Sequence, residues 1–375
     1  MLTDTPQRSA WRISKHKAGV RLKDIRIIIY GVGAMGSQMV RLLQTKPHVR
    51  VVGAIDWDKN KIGRDLGELT GLGVNLGVEV SYPPQKILGR IKADLVLQAT
   101  TAFLDEAYDQ ILRVLARRMN VVTICQELFF PLAKNMARAA RLDRKAREMG
   151  VRLTAVGINP GFIMDIVPIL CSAPCWQVDN LFMRRVVDFS PYGPDEMRHI
   201  GANLTSREFL RGVAKGTIGH IGLLETAAMV AHCLGLGIDG LRQTKEPLIA
   251  RKERRSPYIK IFPGRVCGFK QNVVGLRNEE KILDLQMVGI VSPDPQEDGV
   301  EMGDYTRING TPCVDIGIRK EIAQKGGIGT AGVAVNIIPK LLSAPPGFHT
   351  MNTLSLPHFW GPEGDSRPIK TIINS

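Results

Sequence analysis

Several features typical of membrane, secreted or metal-dependent proteins are missing from this chain of 375 residues. No uninterrupted apolar run approaches the ~18 residues needed to span a bilayer. The segment that begins the chain, MLTDTPQRSAWRISKHKAGVRLK, has no apolar core like that of a secretory signal. The six cysteines are irregularly spaced, and Cys171 and Cys175 have no further Cys or His pair with which to form a zinc site. We therefore expect reduced thiols, no metal, no membrane partner and a cytoplasmic protein.

Aromatic residues are also few, at 6% of the chain, although the net charge is strongly positive at +14. The basic residues form three separate clusters, which contain almost no aromatics: 8–26, 138–147 and 251–255. Nucleic-acid binding favours basic charge on one face together with stacking rings, so we expect no nucleic-acid partner. The positive surface instead suits anionic cofactors and carboxylate substrates.

The length predicts two domains, and the N-terminal half alternates between short apolar strands and amphipathic helices. The predicted helices cover 37–45, 104–118 and 131–148, and the predicted strands cover 25–30, 50–55, 93–99, 120–125 and 151–156. This alternation predicts an α/β fold with a Rossmann-type, doubly wound parallel sheet.

After residue 157 the predicted strands become longer and alternate between apolar and polar residues, which indicates a largely antiparallel sheet. They cover 181–188, 266–275, 282–291 and 311–318, with a helix at about 219–234 and an apolar helix at 331–342. We therefore predict a dinucleotide-binding domain over 1–157, to which 326–350 returns. An α+β domain over 158–325 would bind substrate, and its exposed sheet would make a homodimer.

The strongest motif is Gly31-Val32-Gly33-Ala34-Met35-Gly36, which lies between a predicted strand and a predicted helix. Gly31 allows a tight turn, Gly33 lets a pyrophosphate approach the backbone, and Gly36 lets helix and strand pack closely. The motif predicts a dinucleotide at this loop, with Ala34 and Met35 beside it.

An acidic residue, Asp56, follows the second strand 20 residues after Gly36, where a carboxylate can accept hydrogen bonds from the adenosine ribose. A carboxylate there repels a 2′-phosphate and favours NAD. The nearby cations Lys59, Lys61 and Arg64 keep NADP open as an alternative.

Other polar residues follow further strands of the predicted parallel sheet, at the edge where such folds bind ligands. Thr100, Thr101 and Cys125 are expected to contact the cofactor. Glu127 lies between a buried strand and the apolar run 128–130, where a carboxylate can exchange protons near neutral pH. The alternative for Glu127 is a solvated or salt-bridged glutamate. The alternatives for Cys125 are a buried structural thiol and a catalytic nucleophile.

The substrate wall is expected to begin after the last strand of the first domain, at Asn159 and Phe162. His220, at a predicted helix start, is either a substrate contact or a packed histidine. Arg184 and Arg185 point to opposite faces of one strand, so at most one faces the site. We assign Arg184 to a substrate carboxylate.

Several blocks together resemble the 2,4-diaminopentanoate dehydrogenases, which look like native amine dehydrogenases and share the dihydrodipicolinate reductase-like fold. The blocks are GVGAMG at 31–36, VVGAIDWDKNKIGRDLGEL at 51–69, VVTICQEL at 121–128, GINPGFIMD at 157–165, GHIGLLETAAM at 219–229 and GGIGTAGVAVNIIP at 326–339. The resemblance covers about residues 24–355. At position 126 the resemblance implies a second glutamate in many relatives, but this chain has Gln126.

The resemblance implies an NAD(P)-dependent, reversible conversion of an amine to a ketone and ammonia, with 2,4-diaminopentanoate giving 2-amino-4-oxopentanoate. It implies that Glu127 is the catalytic acid/base and that Asn336 lies close to the nicotinamide. Three alternatives stay open: other simple amines or ketones as substrates, a semialdehyde dehydrogenase that uses Cys125, and a dinucleotide-binding sensor without turnover.

Overall fold

The computed structural model describes residues 24–319 and 324–361, so most of the N-terminal basic cluster lies outside the described residues. The first sheet has seven strands, all parallel, in the order β15-β6-β5-β4-β1-β2-β3. These strands are β1 (Ile25–Tyr30), β2 (Val49–Ile55), β3 (Val80–Ser81), β4 (Leu95–Gln98), β5 (Asn120–Thr123), β6 (Arg152–Ala155) and β15 (Gly347–His349). The predicted doubly wound parallel sheet is confirmed.

Helices connect and cover these strands. Their bounds are α1 (Ala34–Leu43), α2 (Leu66–Leu69), α3 (Gln85–Leu88), α4 (Leu104–Leu115), α5 (Ala133–Met149), α11 (Gln324–Asn336) and α12 (Ile338–Ser343). β1 is an almost uninterrupted run of β-branched residues, as expected of a strand buried on both faces. Gly150 follows the last residue of α5 and caps the helix in a left-handed conformation, with a φ of +73°.

The second sheet has six strands in the order β14-β13-β7-β12-β11-β8. They are β7 (Gln177–Asp188), β8 (Gly240–Ile249), β11 (Val266–Arg277), β12 (Glu280–Ile290), β13 (Gly303–Thr311) and β14 (Val314–Ile318). Only β7 and β12 pair in parallel, so the predicted largely antiparallel sheet is also confirmed.

Shorter elements complete this part of the chain. They are α6 (Ile166–Cys171), α7 (Pro194–His199), α8 (Ser206–Ala214), α9 (Leu223–Cys233), α10 (Pro295–Asp298) and the small pair β9 (Arg254–Arg255) and β10 (Lys260–Ile261). Within the described residues, no helix is long and apolar enough to cross a membrane.

Two of the predicted elements were wrong in extent. The single strand expected at 311–318 is the end of β13 and the whole of β14, which pair antiparallel around Pro312 and Cys313. Proline has no N–H for the ladder, so the chain turns there. The helix expected at 331–342 starts earlier, within α11, and continues after Ile337 as α12.

Two hydrophobic cores lie beneath the two sheets, and α9 touches both. Leu223, Ala227 and Val230 pack into the core of the second sheet, whereas Met229 packs into that of the first. The C-terminal segment also contributes to the first sheet, since α11 packs along α1 and β15 pairs with β6. Helix α9 therefore lies where the two sheets meet.

Candidate active site

The glycine loop crosses from β1 to α1 through two tight backbone contacts. Gly31 has a φ of +102°, and a Cβ there would lie 2.5 Å from the carbonyl oxygen of Ala99. A Cβ on Gly36 would lie 1.9 Å from the carbonyl oxygen of Gly31. Both positions require glycine because backbone atoms occupy the space of any side chain.

Gly33 is different, because a Cβ there would meet nothing within 4 Å. It precedes α1, whose first turn has no side-chain cap, and Ala34 beside it is exposed. The free N–H groups at this helix start therefore face open space, which is how a helix N-terminus receives a phosphate. The loop fits the pyrophosphate of a dinucleotide. Met35, expected beside it, packs against Gly327 of α11.

Asp56 ends β2 and is buried, with hydrogen bonds to both carboxylate oxygens. Its Oδ2 accepts from the N–H of Val32 at 2.7 Å and lies 3.2 Å from Lys61 Nζ. Its Oδ1 accepts from the N–H of Asp58 at 2.9 Å. Asp56 thus ties the glycine loop to β2, and Lys61 partly neutralises it.

Thr100 and Thr101 follow β4 on the other side of the glycine loop. A Cβ on Gly31 would lie 3.0 Å from Thr100 Cγ2, so Thr100 borders the loop. The Thr100 hydroxyl is bonded to Gln98 and Gln110, which the sequence analysis missed. This polar network lies at the carboxyl end of β4, and doubly wound folds bind ligands at this edge of the sheet.

Glu127 lies in the 3₁₀ turn Gln126–Leu128 that follows β5, and its side chain is 9% exposed. Its Oε2 accepts a hydrogen bond from the N–H of Leu104 at 2.9 Å, and its Oε1 pairs with the ammonium group of Lys134. Leu104 begins α4, whose N-cap residue Phe103 provides no side-chain cap, so Glu127 caps this helix from a different element. One carboxylate oxygen is fixed by backbone while the other faces a cation.

A second buried carboxyl, Glu225, lies in the first turn of α9 and interacts electrostatically with Glu127 and Lys134. Burial, together with a smaller contribution from the charge of Glu127, raises the pKa of Glu225 to about 7. Glu225 was not among the residues predicted from the sequence. The available signal was a single acid within the apolar stretch Leu223–Ala231.

Cys125 is completely buried, and its Sγ contacts the carbonyl oxygen of Ala102 at 3.4 Å. Burial raises the pKa of this thiol to about 12, so it stays protonated at neutral pH. Neither the nucleophilic role nor the cofactor contact fits a side chain enclosed in this way. The interpretation as a structural thiol is the one that the geometry supports.

The segment after β6 is held by Asp165, a buried carboxylate that the sequence analysis did not single out. It accepts hydrogen bonds from the N–H groups of Gly161 and Ile166, at 2.8 and 2.7 Å, and from the Thr226 hydroxyl at 3.3 Å. Burial raises the pKa of Asp165 to about 6. Phe162 is half-buried against the first core.

Asn159 is buried where this segment meets the second sheet. Its Nδ2 lies 3.6 Å from Met287 Sδ, and its Oδ1 has no hydrogen-bond partner among the described residues. An unpartnered buried carbonyl is costly, and a bound ligand or water can satisfy it. This is the feature expected of a residue in a substrate wall.

Arg184, the expected substrate contact, and Arg185 lie on opposite faces of β7. Arg185, at 2% exposure, faces the core and pairs with Asp304 at 2.6 Å, in the same cross-strand row as Met287. Arg184 points to the opposite face, beside Tyr305. Because side chains alternate along a strand, only Arg185 lies on the face that Asn159 touches.

His220 lies over this row of side chains in the loop before α9. Its backbone N–H donates to Gln271 Oε1 at 2.9 Å, and its carbonyl oxygen accepts from Gln271 Nε2 at 3.0 Å. Burial lowers the pKa of its imidazole to about 3, with a further contribution from the positive charges of Arg185 and Lys245. The ring is therefore neutral at physiological pH and lies next to Asn159.

Asn336, expected close to the nicotinamide, lies at the far end of α11 from the glycine loop. Asn336 ends α11, and its Oδ1 accepts a hydrogen bond from the N–H of Trp360, whose carbonyl oxygen binds Lys46 beyond the end of α1. Gly327, in the first turn of α11, is the residue that lies against the glycine loop. Nine residues of helix place Asn336 about 13 Å further along.

The fold and the glycine loop together define the class of protein: an oxidoreductase that uses a nicotinamide dinucleotide. The model of the dihydrodipicolinate reductase N-terminus matches residues 25–125. The model of the 2,4-diaminopentanoate dehydrogenase C-terminal domain matches residues 162–368, more than half of the chain. The chain belongs to the 2,4-diaminopentanoate dehydrogenase family.

Individual relatives agree with this membership. A 2,4-diaminopentanoate dehydrogenase from Acetoanaerobium sticklandii is 34% identical over 349 residues, which cover 90% of this chain and 95% of that relative. An amine dehydrogenase from Streptomyces virginiae is 25% identical, covering 87% and 94% of the two chains. The structure of an amine dehydrogenase from Mycobacterium smegmatis superposes with a TM-score of 0.81 at 27% identity, covering 90% and 98%.

Proposed function

We propose that this enzyme oxidises a primary amine to a ketone and ammonia, and that Glu127 is the acid/base. The observation that carries the proposal is a buried carboxylate after β5 with one oxygen fixed by the Leu104 N–H and the other facing the Lys134 ammonium. The second oxygen occupies an environment suited to a substrate ammonium group. Membership of a family of amine-oxidising dehydrogenases supports this reaction.

Two proton transfers can be assigned to this one carboxylate. The substrate ammonium first gives a proton to Glu127, because a hydride leaves the amine carbon only when the nitrogen lone pair is free. A dinucleotide held at the glycine loop would supply the hydride acceptor for that carbon. Glu127 passes that proton to solvent and then removes a proton from the water that attacks the iminium carbon. It returns this second proton to the nitrogen of the resulting carbinolamine, so that the C–N bond breaks and ammonia leaves as the hydroxyl group loses its proton to give the ketone.

For the substrate we propose 2,4-diaminopentanoate, which would give 2-amino-4-oxopentanoate. The support is the 34% identical relative that bears this substrate in its name, together with the positive charge of Lys245 near His220. Such charge favours a substrate that carries a carboxylate. Asn159 offers an unpartnered carbonyl oxygen to a second ammonium group.

The test is a screen for ammonia-dependent oxidation of NADH and NADPH with 2-amino-4-oxopentanoate and with simple ketones. We expect the amino-keto acid to give a kcat/KM at least tenfold above the ketones. A higher value for simple ketones would reassign the substrate. Tight NADH binding without any turnover would favour the sensor alternative and contradict the proposed reaction.

For the cofactor we propose that NAD is preferred over NADP, because the Asp56 carboxylate repels a 2′-phosphate. The preference is expected to be moderate, since Lys61 lies 3.2 Å from Asp56 and offsets its charge. Replacing Lys61 with Met should therefore raise the ratio of kcat/KM for NAD to that for NADP. The expected increase is five- to tenfold, corresponding to roughly 1 kcal/mol after solvent screening.

Steady-state kinetics with both cofactors measures this ratio. Lys86→Met, on the exposed surface of α3, is the matched control and should leave the ratio within twofold of the wild type. A ratio that falls in Lys61→Met would mean that Lys61 serves NAD binding itself, contrary to the proposal.

A further inference from the structure

One face of α9 is turned toward the segment that carries Glu127. Gly222, Glu225 and His232 share this face, because their spacings of three and seven residues return to the same side of a helix. A Cβ on Gly222 would lie 3.2 Å from the Cβ of Gln126, and the His232 ring lies 5.6 Å from the ring of Phe130. The two ends of the face thus contact residues on either side of Glu127, and Glu225 lies between them.

The surroundings of Glu225 contain few charges that can balance its own. The 3₁₀ turn contributes the carboxylate of Glu127, and α5 contributes the ammonium of Lys134. Cys125 is also near, but its thiol stays neutral. On the neighbouring side of α9, Asp165 is engaged with Thr226 and the 161–166 segment. Among the described residues, Lys134 is therefore the one lysine or arginine whose charge acts on both buried carboxyl groups, Glu127 and Glu225.

We propose that Glu225 is a positioning residue of the active site, which keeps a proton and so leaves Glu127 to face Lys134 and the substrate ammonium. This inference rests on the proposed function. The two buried carboxyl groups interact electrostatically, and like charges there repel each other. Lys134 forms its ion pair with Glu127, so Glu225 is the group that retains its proton. During turnover the substrate proton moves to Glu127 and then to solvent, while Glu225 stays neutral as long as the pH is below its pKa of about 7.

The first test is the pH profile of kcat/KM for the amine. The wild-type enzyme should show an inflection near pH 7, the pKa to which burial brings the Glu225 carboxyl. Glu225→Gln keeps the shape of the side chain and should remove this inflection or move it by at least one pH unit. Glu225→Asp should keep it, since the acid is retained. An unchanged inflection in Glu225→Gln would overturn the proposal.

A second variant tests the same cluster from an exposed position. Lys134 is 65% exposed, so Lys134→Met should fold normally. Loss of this cation should move the inflection to higher pH by half a unit or more, because the Lys134 charge lowers the pKa of Glu225. Lys145→Met, on the same helix, is the matched control and should leave the profile unchanged. Identical pH profiles for the two lysine variants would contradict the proposed interaction between Lys134 and Glu225.

A third measurement does not depend on turnover. The folded-state pKa of Glu225 is raised above its value of 4.5 in the unfolded chain. The unfolded state therefore ionises first, and the wild type loses stability relative to Glu225→Gln as pH rises from about 5 to 8. Chemical unfolding of both proteins across this range should show the difference, with Glu148→Gln following the wild type.

The unfolding experiment also separates the two proposals. A constant stability difference across pH would mean that Glu225 does not titrate there, which overturns the inference. If no amine is oxidised by the wild type but the stability difference changes with pH, the proposed function fails and so does the catalytic meaning of Glu225. If amines are oxidised and the difference is constant, the proposed function stands and only the inference fails.

Discussion

Glu127→Gln should lower kcat for amine oxidation by about 10²- to 10⁴-fold, the range that a general acid/base contributes. The glutamine carbonyl can still accept the Leu104 N–H, so the start of α4 keeps its cap. What is lost is a group that can take a proton from the substrate ammonium and later from water. Binding of NADH should change by no more than about twofold, because Glu127 is predicted to act on the substrate.

Three measurements test this prediction: steady-state kinetics in both directions, NADH binding by fluorescence, and thermal unfolding. Glu148→Gln, an exposed change on α5, is the control and should retain full activity. Loss of activity accompanied by unfolding would indicate that the cap is the main role of Glu127. A kcat within tenfold of the wild type, in a folded protein, would show that the assigned chemistry is wrong.

Gly33→Ala should weaken dinucleotide binding by roughly tenfold or more, about 1.4 kcal/mol, without loss of stability. The backbone at Gly33 has a φ of −88°, which alanine adopts readily, and the added Cβ meets no atom of the protein within 4 Å. That space is where the pyrophosphate is expected to approach the start of α1. The added methyl group should therefore overlap only with the bound cofactor and with no atom of the protein.

Gly36→Ala is the matched contrast, because its Cβ would lie 1.9 Å from the carbonyl oxygen of Gly31. It should lower the melting temperature as well as cofactor affinity, since backbone must move to relieve the overlap. Thermal unfolding and NADH titration of the two variants distinguish the cases. Wild-type NADH affinity in Gly33→Ala would place the cofactor elsewhere on the loop.

Five strands of the first sheet were predictable because their signals are local, whereas the short strands β3 and β15 were missed. Each buried strand is a short apolar run, and helices with a regular apolar face separate the runs. The second sheet was predicted less completely. β8 was missed because Lys245, Glu246 and Pro247 interrupt its apolar pattern, and 311–318 was taken for one strand because a sequence does not show where a ladder turns back.

The candidate site could be predicted only in part. Gly31, Gly33, Gly36 and Asp56 belong to one continuous unit whose spacing is diagnostic, and the structure places them around the same loop. Cys125 shows the limit, because its position in the chain is right for a ligand contact but its side chain points into the core. The burial of a side chain depends on the elements that pack over it, and these elements are distant in the chain from the residue itself.

The fold class, the dinucleotide loop and the family follow from the chain alone, since these depend on patterns within short segments and on similarity along the chain. Which side chains meet depends on the packing of distant elements. Alternation along β7 placed Arg185 rather than Arg184 on the inner face, and the parallel packing of α11 on α1 carried Asn336 away from the glycine loop. Glu225 comes next to Glu127 from an element almost 100 residues later, because α9 packs across both cores. Such contacts depend on distances in space, and a pattern along the chain does not contain them.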